Sequence, residues 1–499
     1  MELQFQRNSF DCLRTVVREI KSEERTQEVK LPDAMPDIGK VLGAWGQPVI
    51  RSKDWRGDGM GVSGGVMVWI LYLPEDGSVP RSVDTWIPFQ MHWDFPQTER
   101  DGTITASCML RNVDARLISA RKLMTRVVVE VAGEALEPIQ MDLFSPCELP
   151  EDVCLLRKSY PVCIPRESGE KTFLLDEELT LPGTCSDVQR VIQYSLHPEL
   201  IDKKVMGDKI VFRGTALVHM LCRCNEGELK SCDFDVPFSQ YADLSREYDS
   251  YATVNLVPEV TNLELDIQES GILRLKAGVV GQYVIYDRPV VEIIEDVYSP
   301  NRNITIHTEE WSAPVVLEQK QEHLKVEQSM EADGQQIVDI SFLHGHPQVK
   351  REEMKMELEI PGAFQMLWYD EENNLQNGTT RWHGDASMPI DRNSIPVATC
   401  RRSGRIQGTL GGANALVRCD LNIDIITTSA ASIPMVTGLE LGELMPRDTD
   451  RPSLILRRAD TESLWNVAKE CGSTVEAIQQ ANGLTAEPEE GRILLIPVS

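Results

Sequence analysis

The chain has 499 residues, about three domains' worth at roughly 150 residues per domain. Hydrophobic residues make up 41% of it, enough to build real cores, which excludes wholesale disorder. Against 50 Lys+Arg stand 78 Asp+Glu, and the net charge of −28 repels phosphate backbones and anionic lipid, so neither general nucleic-acid binding nor membrane adhesion is expected.

The opening stretch, MELQFQRNSF, alternates apolar and polar residues and has no apolar core of the kind a secretory signal carries. The longest strongly apolar run, Val66 to Leu73, is far shorter than the ~20 residues of a membrane helix. A cytoplasmic protein without membrane insertion is expected.

The next feature is a repeat. Leu31-Pro32, followed by Asp37-Ile38 and Lys40-Val41-Leu42, returns as Leu181-Pro182, Asp187-Val188 and Arg190-Val191-Ile192, an offset of 150. The apolar run Val66–Leu73, the turn Glu75-Asp76-Gly77 and Ile87-Pro88-Phe89 align in the same way with Gly214–Leu221, Asn225-Glu226-Gly227 and Val236-Pro237-Phe238. Gly362 to Asp370 reads as a third, eroded copy, with Met388-Pro389 in the Val-Pro-Phe place and no Leu-Pro header. These repeats predict units at 1–145, 155–298 and 304–444 and a tail at 453–499, with linkers at Ser145–Asp152, Tyr298–Asn303 and Met445–Pro452.

Within the units, β-branched runs and short turn signals predict strands, including Ile210–Val218 and Leu416–Ile426. The fold class expected is mainly β, with tandem sandwich-like repeats followed by a small βααβ module. Asp187 to Tyr194 is the one helical candidate ahead of the tail, expected to cover a sheet.

Few residues invite chemistry. Gly57 to Gly65 is glycine-rich, but a strand follows it and no Gly-Lys-Ser/Thr is present, so it reads as a flexible hairpin loop and not a phosphate cradle. Asp94, Glu99 and Asp101 read as a solvated loop, His344-Gly345-His346 as a turn before Pro347, and Trp311, Trp368 and Trp382 as packed aromatics. The 12 cysteines include no Cys-x-x-Cys. Cys222 and Cys224 share one face of a strand, and Cys232 would have to fold back to join them near His219; the reading adopted is separate, reduced, mostly buried thiols. No catalytic residue, cofactor or metal is expected.

The tail changes character. Leu464, Val467, Ala468 and Cys471 fall at helical spacing after Asp460 and Thr461 as N-caps, with Gly472 as the stop. Ser473-Thr474-Val475-Glu476 reads as a capping box opening a second helix that ends at Asn482-Gly483. Short strands, Ser453–Arg457 and Gly491–Pro497, flank the pair.

These residues, from Asp460-Thr461 through Leu464-Trp465, Ala481-Asn482-Gly483-Leu484 and the closing strand, resemble a LysM domain. Where the family usually has Gly-Asp-Thr-Leu-Trp, this chain has Ala459 in the glycine's place and an insertion, Glu462-Ser463, before Leu464. The resemblance implies a shallow groove for N-acetylglucosamine glycans, here between Asp460, Thr461, Glu462, Ser463 and Asn482, Gly483, Leu484. The Leu-Pro header, apolar strand and Val-Pro-Phe element resemble SPOCS domains. Tandem SPOCS domains followed by a LysM domain look like the SipL-type spore coat and envelope assembly proteins. That likeness implies a non-enzymatic adaptor in the mother-cell cytoplasm at the forespore surface, tethering a coat-morphogenetic ATPase-type partner. The alternative is a cell-wall protein that binds peptidoglycan or another N-acetylglucosamine glycan.

Overall fold

The computed structural model describes residues 2–146, 148–185, 187–268, 272–311, 315–390, 394–429, 432–445 and 452–498. The fold is mainly β, with two short α-helices among the described residues, both in the tail. The 446–451 part of the expected third linker lies outside the described residues.

The first unit is two three-stranded antiparallel sheets. One orders Gln6–Lys30, Lys122–Ser145 and Thr103–Ser119; the other orders Ile38–Arg56, Gly59–Pro74 and Arg81–Asp94. Along Arg81–Asp94 the residues Ile87, Phe89, Met91 and Trp93 are buried, while Pro88, Gln90, His92 and Asp94 face out. That period-two alternation is what a sheet with one dry face requires. The second unit has one three-stranded sheet, ordering Thr253–Ile267, Leu273–Asp287 and Ile164–Leu179, and a two-stranded one of Val188–Cys224 and Leu229–Tyr248; in the last strand Cys232, Phe234, Val236 and Phe238 point inward. Pro88 and Pro237 both sit on edge strands, where a missing N–H leaves no ladder bond unmade.

A glycine–aromatic pair recurs in each unit. Gly64 faces Phe89 across the strands, Gly214 faces Phe238, and Gly362 faces Trp382. A Cβ at Gly64 would lie 2.1 Å from the Val49 carbonyl oxygen, and one at Gly214 would lie 2.1 Å from that of Glu199. The backbone approaches so closely there that only hydrogen fits, and the ring opposite covers the gap. By this register, Arg381-Trp382 occupies the Pro-Phe place in the third unit. Met388-Pro389 instead closes the strand, opposite Met356 and Lys355.

Two further expectations are corrected. Asp187–Tyr194 is not helical: a 3-10 turn at Gly183–Cys185 leads into the strand that starts at Val188. Val188, Val191 and Ile192 match helical spacing, but their β-branched side chains fit the pleated surface equally well. The glycine-rich segment is not a long loop either; Gly57-Asp58 makes the turn, and Gly59 to Gly65 belong to a strand.

The ends of each unit pair with one another as stems. Cys154–Pro161 pairs with Val290–Tyr298, and Arg302–Trp311 pairs with Ile433–Leu444. The first described strand, Glu2–Gln4, departs from the expected unit boundary and adds to Ile433–Leu444 in the third stem. Cys12 and Met141 from unit one, Val291 and Ile293 from unit two, and Trp311 and Met435 from unit three share one buried cluster. The three stems are therefore held by common apolar burial.

The cysteines are also not all separate thiols. Cys185 and Cys232 are joined sulfur to sulfur. The Pro182–Cys185 turn lays Cys185 against the Leu229–Tyr248 strand, a long-range approach that spacing along the chain does not encode.

Candidate binding site

The tail has the order β-α-α-β, with Leu454–Arg458 antiparallel to Ile493–Pro497. Helix α1 spans Leu464–Cys471 and helix α2 spans Val475–Asn482. The N-caps are Ser463, whose Oγ accepts from the Asn466 N–H, and Thr474, whose Oγ1 accepts from the Ala477 N–H. The expected caps Asp460, Thr461 and Ser473 are displaced by one to three residues. Gly472 and Gly483 end the helices in left-handed conformations, φ 65° and 60°, which glycine adopts without a Cβ penalty. Leu464, Val467, Ala468, Ile478, Leu494 and Ile496 fill the core.

This module is seated on the second stem. Tyr298 and Trp465 meet edge to face at 4.7 Å, and the Tyr298 hydroxyl donates to the Ser473 carbonyl at 3.0 Å. Trp465 Nε1 donates to Asp296 Oδ2 at 2.8 Å, and Lys469 Nζ donates to the same carboxylate at 2.7 Å. Both polar and apolar contacts fix the orientation, with Cys154 and Leu156 of the stem packed against the module's core.

The loop after α2 reaches the start of α1. Glu487, on the loop after α2, accepts from the Leu464 N–H at the start of α1 at 2.9 Å. Asp460, Thr461 and Glu462 are exposed, and Asp460 Oδ1 accepts from the Glu462 N–H at 2.8 Å. The remaining residues are turned to structural work. Asn482 donates to the carbonyls of Ile478 and Leu495 and accepts from the Leu495 N–H, so its amide ties α2 to the closing strand. Leu484 packs against the core. The expected groove positions thus include two carboxylates, Asp460 and Glu462, and an Asn482 amide already paired within the module.

Spacing does not reveal two other surfaces. The first is the outer face of the tail's two-stranded sheet, where Leu454, Leu456 and Ile493 are 48%, 68% and 67% exposed. Leu456 lies opposite Leu495 and Leu454 opposite Pro497, so this face is apolar apart from Arg458, which lies opposite Ile493 at one end. The alternation Leu454, Leu456 and Leu495, Pro497 was the available signal, masked because the inward positions are apolar too.

The second is a cavity of about 440 Å³ where the three units meet. Arg401 of unit three donates to the Pro258 carbonyl at 2.9 Å, to Glu259 at 2.7 Å and to Ser107 Oγ at 2.9 Å, joining all three units. Burial pushes the Glu259 carboxyl above its usual range, and Arg401 pulls it partway back. His344 and His346 are buried beside this junction, where the chain passes between two strands; burial lowers their pKa values to about 4 and about 3, so both rings are neutral.

His219 is held between Asp233 and Asp339, each at 2.6 Å. Burial pulls its pKa down, but Asp339 and then Asp233 outweigh that and raise it to about 9. An unfolded histidine titrates near 6.5. A raised folded pKa stabilises fully below the unfolded value, and this contribution disappears as pH rises through about 9. Stability in urea is therefore expected to fall by about 1–3 kcal/mol between these limits, and His219→Gln to remove most of that slope. A flat wild-type profile over this window would contradict the clamp.

No helix among the described residues is long and apolar enough to cross a membrane. No curated protein and no solved structure gives a significant match to the chain. Residues 187–268 match the family model described as SipL, SPOCS domain, so the second β unit carries a SipL-type SPOCS domain.

Proposed function

We propose that the chain is a non-enzymatic adaptor in spore envelope assembly, built from three SPOCS-type units and a LysM-type tail. The units form the platform, and the tail contacts a protein partner, a coat-morphogenetic ATPase-type protein in the mother-cell cytoplasm at the forespore surface. The SPOCS match of the second unit supports a sporulation role. The observation that carries the tail's role is its apolar outer face at Leu454, Leu456 and Ile493, since an exposed contiguous apolar surface favours a protein partner.

The glycan-binding alternative draws less support. Asn482 is committed to the module's own backbone, and Glu487 occupies the N-terminus of α1. Leu456→Asp with Ile493→Asp is expected to reduce partner capture at least tenfold while leaving the circular-dichroism spectrum unchanged. Capture that persists in this variant, or retention on peptidoglycan that Thr461→Ala abolishes, would overturn the reading in favour of a glycan groove.

A further inference from the structure

Three cysteines of the second unit, Cys185, Cys222 and Cys232, converge across the hairpin. Cys224 lies two residues beyond Cys222 on the Val188–Cys224 strand, so the two side chains share one face. The hairpin then brings Cys232 back diagonally opposite Cys222, since Cys222 pairs with Lys230 and Met220 with Cys232. The Pro182–Cys185 turn supplies Cys185. The sulfurs of Cys185, Cys222 and Cys232 all lie within 4.8 Å of one another, and all four residues are essentially inaccessible.

We propose that Cys185, Cys222, Cys224 and Cys232, in their reduced state, form a structural site for a thiophilic divalent cation, with zinc as the natural occupant. Tetrahedral zinc holds sulfurs at about 2.3 Å, which sets sulfur–sulfur separations near 3.8 Å, a spacing this cluster reaches with small side-chain rotations. The backbone geometry agrees. The Cα atoms of Cys185 and Cys232 are 7.2 Å apart, beyond the usual disulfide range of about 4.4–6.8 Å, whereas two thiolates sharing one metal span that distance.

The surroundings fit a structural site. Lys230 lies close to Cys222 and Cys224 and offsets part of the charge of four thiolates, while Asp187 opposes it near Cys224. The Cys222 thiol donates to the Lys230 carbonyl at 3.2 Å, a bond it gives up when it loses its proton to bind metal. With every sulfur buried and no open position, the metal would brace the turn against the hairpin and not act on substrate. Loading from the bridged form needs a dithiol reductant. It gives two electrons and two protons to the Cys185–Cys232 bond and is itself left as a disulfide; zinc then displaces the thiol protons.

The test uses the full chain, reduced with a dithiol and reconstituted with Zn²⁺ or Co²⁺ alone. One metal per chain is expected by mass spectrometry under native conditions, together with thiolate-to-cobalt charge transfer and protection of these four cysteines from alkylation. Cys222→Ser is expected to weaken binding at least a hundredfold, and Cys163→Ser, outside the cluster, to leave it unchanged. The wild-type spectrum keeps the test independent of whether a variant folds. A cobalt spectrum without thiolate charge transfer overturns the site. So does alkylation of the four cysteines in the reduced chain that proceeds equally with and without zinc.

Discussion

Arg401→Ala is expected to destabilise the β platform by about 2–4 kcal/mol, because it strands a buried carboxylate and not merely because it deletes an attractive pair. Glu259 sits in the second unit and accepts from Arg401 at 2.7 Å, with Ser107 beside it and a long bond from the Cys108 N–H at 3.4 Å. Without the guanidinium, Glu259 must either remain charged in a poorly solvated site or take up a proton. The Pro258 carbonyl and Ser107 Oγ lose their donor in the same step. Arg401 is about a fifth exposed, which moderates the cost below that of a fully enclosed pair.

The controls separate charge from geometry. Arg401→Lys keeps the charge but cannot reach three acceptors on three units at once, so an intermediate loss is expected. Pairing Arg401→Met with Glu259→Gln removes both charges and should recover more than half of the loss; urea denaturation of the four variants gives the coupling energy directly. A change below about 0.5 kcal/mol for Arg401→Ala would show that the junction is held by apolar packing alone.

Not all of this was legible in the sequence, and the division has physical causes. Local rules carried furthest. Alternation in Arg81–Asp94 marks its dry face, and glycines at 472 and 483 mark helix ends, because each depends on neighbours a few residues away. Where a local pattern fits two structures, it misleads: Val188, Val191 and Ile192 satisfy a helix and a strand equally, and the sheet around them decides. Long-range assembly left no local trace. Nothing about Glu2–Gln4 announces that it pairs with Gly438–Glu440, and nothing distinguishes Arg401 among 50 basic residues until the three units are placed together. The seven groove residues show the same limit. Asp460 and Thr461 look like helix caps in the sequence, yet Ser463 caps α1, and Asn482 could be assigned to backbone support only once the closing strand was seen beside it.

Leu464→Glu is expected to unfold the tail while leaving the β units intact. Leu464 is 2% exposed and opens α1, packed among Val467, Ala468, Ile478 and Ile496 in a core of few residues. A module of fewer than 50 residues has little surplus stability, and burying an unpaired carboxylate there costs several kcal/mol, more than such a core supplies. The new side chain would also sit beside Glu487, already bonded to the Leu464 N–H, adding like-charge repulsion. The seat on the second stem is then lost as well. Trp465 no longer meets Tyr298, and the Trp465 and Lys469 bonds to Asp296 open, but the stem strands keep their own ladder from Cys154–Tyr298 to Pro161–Val290. Limited proteolysis should therefore cut the variant within 452–498 at least tenfold faster than wild type, leaving a resistant fragment that contains all three units. Leu464→Met, close in volume, should behave as wild type. A variant that resists proteolysis throughout would mean the stem contacts alone hold the tail folded, and simultaneous cleavage in the β units would mean the tail is an integral part of their stability.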